Sequence, residues 1–138
     1  MAFEQTLTTS FKQEVLLGVH DLDTDTIKMA LYTASADLTA STTVYGTTSG
    51  VVGTGYTAGG VILTGATVLT SGTTAYVDFD NAVWPTAAFT ARGALIYNAS
   101  KGNKAIAVLD FGSDKTATTS FTVQMPANTA TAALIRFA

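Results

Sequence analysis

The residues able to do chemistry are few, and each grouping has a plainer duty beside the chemical one. Asp21, Asp23 and Asp25 alternate as the start of a calcium loop does. Such a loop needs Gly at its sixth position and Glu at its twelfth; counted from Asp21, those places hold Thr26 and Tyr32. The aspartates are therefore expected to make turns, and no metal is expected. Gly53-Thr54-Gly55 resembles the start of a nucleotide loop, but the dinucleotide fingerprint needs a third Gly, a strand before and a helix after. Ala58 stands at the third place and the flanks read as coil and strand. No Gly-Lys-Ser/Thr follows, so no cofactor is expected. His20 is the single histidine, and no Gly-x-Ser-x-Gly elbow is present to make it a triad base. It follows a predicted helix stop, where a histidine favours the helix C-terminus. Asp78, Asp80 and Asp110 would form a glycosidase pair only if the fold brought two of them together. Asn98-Ala99-Ser100 matches a glycosylation sequon, which has meaning only in a secreted chain. No catalytic residue is assigned, and the chain is expected not to be an enzyme.

The elements that would have to position these groups are strands. From Ala66 to Phe137 the apolar residues come in short Val/Ile/Phe/Tyr/Leu runs cut by Gly, Asn, Asp and Pro. Ile27 to Tyr32 alternates and reads as a strand. Further strands are expected at 61–63, 67–69 and 76–79, with a hairpin turn at Ser71-Gly72-Thr73. Trp84-Pro85 marks an edge or bend, because Pro cannot serve a central strand. Residues 89–97 form a long strand whose Gly93 implies a bulge or a close backbone approach. It turns at 98–103 and pairs with 105–111 as an antiparallel hairpin. Strands at 121–125 and 133–137 close the chain. This spacing predicts a mainly β fold, an antiparallel β-sandwich or small barrel.

One helix precedes the strands. Ser10 and Gln13 have capping-box spacing, Phe11 and Val15 share a face, and Gly18 is placed to end the helix. A helix of two turns is unstable alone, so Phe11, Val15 and Leu16 are expected to pack against the domain. Residues 1–9 show no firm period. They read as an extended arm, with a frayed terminus or first edge strand as the alternative. The stretch 46–60 carries glycines at 46, 50, 53, 55, 59 and 60 with Tyr56 as its one large ring. A loop of that length is often functional or mobile. The organisation expected is an arm at 1–9 and one β-domain at 10–138.

Composition narrows the partners. The chain has 138 residues, 47% hydrophobic and 12% charged, against about 25% charged in ordinary globular proteins. Thr, Ser, Ala and Gly replace the missing charge, which suits a neutral surface packed against a partner or against further copies. The net charge is −3 and the seven Lys and Arg residues are scattered. Nucleic acid, which needs a clustered basic face, is not an expected partner. The absence of cysteine rules out disulfide and thiolate sites and suits a reducing cytoplasm. The N-terminus has neither the basic nor the apolar region of a signal peptide, and no apolar run reaches the ~20 residues of a membrane span.

The segments SFKQEVLLGVHDLDTDTIKMALYTASADL, GTGYTAGG and FTARGALIYNASKGNKAIAVLDFGSDK resemble small structural proteins of tailed bacteriophages, over most of the chain from Ser10 onward. The resemblance implies a non-enzymatic virion protein made in the host cytoplasm. Its expected place is the capsid exterior, as a decoration (cement) protein bound to the major capsid protein and to copies of itself as a trimer. A tail tube or head-to-tail connector component is one alternative. A carbohydrate-binding or host-attachment module is another, and it requires Tyr45, Tyr56 and Trp84 exposed on one face. Phe3 and Leu7 of the arm, Tyr56 of the loop and Trp84 are the candidate partner contacts.

Overall fold

The computed structural model describes residues 2–137. Its elements are β1 (Thr6–Leu7), α1 (Thr9–Leu16), β2 (Ile27–Tyr32), β3 (Val61–Ile62), β4 (Thr67–Ser71), β5 (Thr74–Asp78), β6 (Ala82–Trp84), β7 (Phe89–Asn98), β8 (Lys104–Ala117), β9 (Phe121–Val123) and β10 (Ile135–Phe137). They form three antiparallel sheets: β1-β8-β7-β2-β3, β10-β5-β4 and β6-β9. The five-stranded sheet shares one core with the two smaller sheets and α1, which is the sandwich of the two predicted architectures. No sheet closes into a barrel among the described residues.

The central strands are apolar on both faces, and each face has its own core. Ile27, Met29 and Leu31 of β2 and Ile96 of β7 face the smaller sheets, meeting Val77, Trp84, Phe121 and Ile135. Ala30, Tyr32, Leu95 and Tyr97 face the other way and are covered by Ala36, Leu38 and Tyr45. Strict alternation breaks once in β8. The register shifts between Ile96 and Tyr97, whose partners are Ala107 and Ala105. The extra residue is Ile106, so Ile106 and Ala107 both join the first core while Ala105 and Val108 stay in the second. A bulge of this kind opposes two residues to one and lets a strand change phase without leaving the sheet.

The segment read as a reaching arm is instead bonded to its own domain, as the edge-strand alternative requires. Phe3 bridges Leu38, and Thr6 and Leu7 pair with Val108 and Ala107. The Phe3 ring lies on Gly93, where a Cβ would come within 2.4 Å of it. Gly93 thus serves the close approach of the two expected roles; the ladder is also irregular beside it, but the extra residues lie in β8, between Asp110 and Lys115. The N-cap is Thr8, not Ser10: its buried hydroxyl accepts the Phe11 N–H at 3.2 Å. Gly18, at φ +74°, ends the helix, with Gly18 N–H bonded to Val15 and Val19 N–H to Glu14. These are the paired bonds of a Schellman cap. Phe11 is buried and Val15 partly so, but Leu16 is 87% exposed, contrary to expectation.

The Gly-rich loop has a structural duty. β3 covers only the first part of β2's outer edge, at Lys28 and Met29. Beyond it the loop takes over: Val51 N–H bonds the Leu31 carbonyl, and the Tyr56 hydroxyl accepts the Leu31 N–H at 2.9 Å. Two more tyrosines of the sheet, Tyr32 and Tyr97, donate to the carbonyls of Gly46 and Gly59, each at 2.6 Å. Gly60 sits at φ +80° with its Cα so close to β2 that a Cβ would fall 1.7 Å from the Met29 carbonyl. Tyr56→Phe, which leaves the Leu31 N–H without its partner, should cost about 1–3 kcal/mol in urea unfolding with little change in the far-ultraviolet spectrum.

Candidate functional site

The residues singled out from the sequence do not gather at one place. Phe3 and Leu7 are half-buried against the two cores. Trp84 is 2% exposed, and Tyr56 packs between it and Phe89 with ring centroids 6.3 and 5.7 Å apart. The ring of Tyr45 stacks on Tyr97 at 4.6 Å. All four expected partner contacts are thus turned toward their own domain, because each supplies apolar area that the two cores need. The aromatic platform of a carbohydrate-binding module is not formed by Tyr45, Tyr56 and Trp84.

Asp78, Asp80 and Asp110 have three different surroundings. Asp110 pairs with Arg92 at the β7–β8 irregularity, and this bond holds its carboxyl below the usual range. Asp78 is buried at the end of β5; burial pushes its carboxyl up, opposed by the N–H groups of Phe79 and Leu134. Asp80 is exposed. Among the described residues no three His, Asp or Glu side chains converge as a metal ion would need.

Asp21 and Asp25 work as turn-makers and as the end of a polar chain. Asp21 Oδ1 accepts the N–H groups of Asp23 and Thr24, and Asp25 Oδ2 accepts the N–H of Asp21. Asn98, fully buried at the end of β7, orients the rest. Its Oδ1 accepts the Ser100 N–H, which turns Nδ2 toward His20 Nδ1 at 3.0 Å and Asp25 Oδ2 at 2.8 Å. His20 Nδ1 is therefore an acceptor, and its Nε2 donates to Glu14 at 2.9 Å. Lys101 closes the chain on both oxygens of Asp25 at 2.9 Å. His20, expected to act on the helix C-terminus, instead ties α1 to the β7–β8 turn. This is a strut, with the imidazole side chain closed to solvent.

Part of what the domain presents outward is apolar. Every residue of β4 is exposed, including Val68 at 52% and Leu69 at 41%. Leu16, Leu17 and Phe137 are exposed as well. Val15, Leu22, Val68, Ile135 and Phe137 line a groove of about 670 Å³ between the end of α1 and the three-stranded sheet, with Asp21 and Asp23 beside it. Sequence reasoning missed this surface because an apolar residue type does not declare which way it faces. The signals available were the lack of charge in Thr67–Ser71 and the double leucine before Gly18. No helix is long and apolar enough to cross a membrane among the described residues. No family model, curated protein or solved structure matches the chain.

The polar chain sets a pH dependence. Burial raises the Asp25 carboxyl, but the bonds from Asn98, Lys101 and Asp21 outweigh it and bring it to about 2, from an ordinary 3.8. A carboxyl depressed in the fold stabilises above its unfolded value, and that stability is lost as pH falls toward the folded one. Urea unfolding should therefore show the difference between wild type and Asp25→Asn shrinking as pH drops from about 4 to about 2. Asp78, shifted the other way, is unchanged in both proteins and cancels in the comparison.

Proposed function

We propose that this chain is a non-enzymatic structural protein of a phage virion, bound to the outside of the capsid shell as a decoration protein. The observation that carries the reading is the exposed apolar surface at the end of α1 and over the neighbouring groove, held on a sheet buried on both faces. Leu16 and Leu17 stand 87% and 70% exposed on a helix end fixed by its own cap. Such a surface costs little to desolvate against a shell, since few polar groups there must give up water. A stiff scaffold gives up little conformational freedom on binding. Many copies on one particle add weak contacts through multivalency. The resemblance of the sequence to phage structural proteins supports the same reading.

Two observations favour the shell over the alternatives. A tube subunit would use the 46–60 loop for stacking, whereas Tyr32, Tyr56 and Tyr97 hold that loop on its own sheet. A carbohydrate module would expose Trp84, which is buried.

Localisation on purified virions by electron cryomicroscopy tests the proposal directly: density for this protein is expected on the capsid exterior. The paired change Leu16→Asp and Leu17→Asp should weaken rebinding to stripped particles at least about tenfold, with the thermal midpoint nearly unchanged, because neither side chain is in the core. Density confined to the tail, or unaltered rebinding by the variant, would remove the capsid reading or the helix-end contact respectively.

A further inference from the structure

The edges of the three sheets are unequal. β1 and β3 are two residues long, and β6, β9 and β10 are three, with Arg136 in β10. Short edges and edge charges are the usual guards against unwanted pairing. β4 has neither: it is five residues, Thr67-Val68-Leu69-Thr70-Ser71, with no charge, and among the described residues it pairs with β5 alone. We propose that β4 is a self-association edge, on which β4 of a second copy pairs antiparallel about a two-fold axis at Leu69.

The register follows from the hairpin. Ser71 pairs with Thr74 across a two-residue turn, with Gly72 at φ +59°. The pair closing such a turn directs its N–H and C=O groups at each other. Alternation then points the backbone groups of Ser71, Leu69 and Thr67 toward β5 and those of Thr70 and Val68 to the open side. Of the two-fold registers that pair those outward groups, the one that keeps all five residues of β4 in the seam sets Val68 of each copy against Thr70 of the other. Leu69 then meets Leu69 on the axis, as a pair without mutual hydrogen bonds, where Cα atoms come within about 4.5 Å.

The side chains match in that register. Across the three-stranded sheet Leu69 is opposite Tyr76, and Tyr76 is opposite Arg136. Pairing extends this into a row of Tyr76, Leu69, Leu69 and Tyr76 across the seam, the apolar and aromatic cross-strand contacts that stabilise sheets. Thr67 falls opposite Ser71, so the hydroxyl residues of the strand meet each other. The chain carries a net charge of −3, and two copies repel. The uncharged seam brings no like charges together, and Arg136 of each copy lies two strands away from it. The result is a continuous six-stranded sheet. A seam of five residues a side lies below the ~1,200 Å² of a standard interface, so the isolated chain should dimerise weakly, at about 1–100 μM. This pairing needs no capsid, and although Val68 also lines the groove beside α1, Leu16 and Leu17 are not part of the seam.

Sedimentation equilibrium of the full chain tests it. A concentration-dependent dimer is expected. Thr70→Pro removes an N–H that the β4–β5 ladder does not use, and each dimer contains it twice. The variant should raise the dissociation constant by about a hundredfold or more while keeping the wild-type circular dichroism. The register has its own readout, because the chain has no cysteine. Leu69→Cys should crosslink two copies on mild oxidation, since the expected Cα separation suits a disulfide. Val68→Cys should not, because its two copies lie a residue to either side of the axis. A chain that stays monomeric up to about 1 mM, or a dimer that survives Thr70→Pro and does not crosslink through Leu69→Cys, overturns the proposal. Failure of either kind leaves the capsid reading standing, and a dimer in solution with no density on the shell leaves this one standing.

Discussion

Strands β2, β7 and β8 are apolar on both faces, and the rest of the molecule is arranged to keep water from both. Parallel sheets commonly meet this demand with helices. Here an antiparallel sheet meets it with one helix of eight residues, two small sheets and the segment after β2. The demand explains where the aromatic residues went. Trp84, Phe89, Phe121 and Tyr56 fill one side, and Tyr32, Tyr45 and Tyr97 the other.

The edges impose a second demand. β2 must have its outer backbone groups satisfied along its whole length, and β3 is too short to do it. A tyrosine hydroxyl stands in for the missing strand at Leu31, because a phenol both accepts from an N–H and donates to a carbonyl. The glycines of the 46–60 loop let its backbone approach β2 closely enough for this substitution. What looks from composition like slack chain is a fitted cover over a sheet edge.

The strands were largely legible in the sequence, because alternation and turn residues are local signals. β2 matches its expected span, and Gly93 marks a close approach. β8 runs on to Ala117, past the expected end at Phe111. Gly112, Ser113, Asp114 and Lys115 form an exposed polar stretch between Phe111 and the buried Ala117, with no apolar period to read. Long-range facts were not legible. Nothing local in residues 1–9 says that Phe3 will settle on Gly93. Nothing in Tyr56 says that its hydroxyl will meet Leu31, 25 residues away. The exposed surface was hidden for the same reason: Val68 and Val77 have the same side chain and lie side by side in the sheet, yet one is exposed and the other buried.

The buried Asn98 carries a chemical liability. Its amide nitrogen is donor to both His20 and Asp25 at once. Deamidation exchanges that nitrogen for an oxygen and adds a negative charge, so one slow hydrolysis sets two carboxylates against each other inside the fold and leaves the imidazole nitrogen without its donor. The same packing that makes the atom critical also keeps water and backbone motion away from it, so the lifetime of the strut is set by how rarely the β7–β8 turn opens.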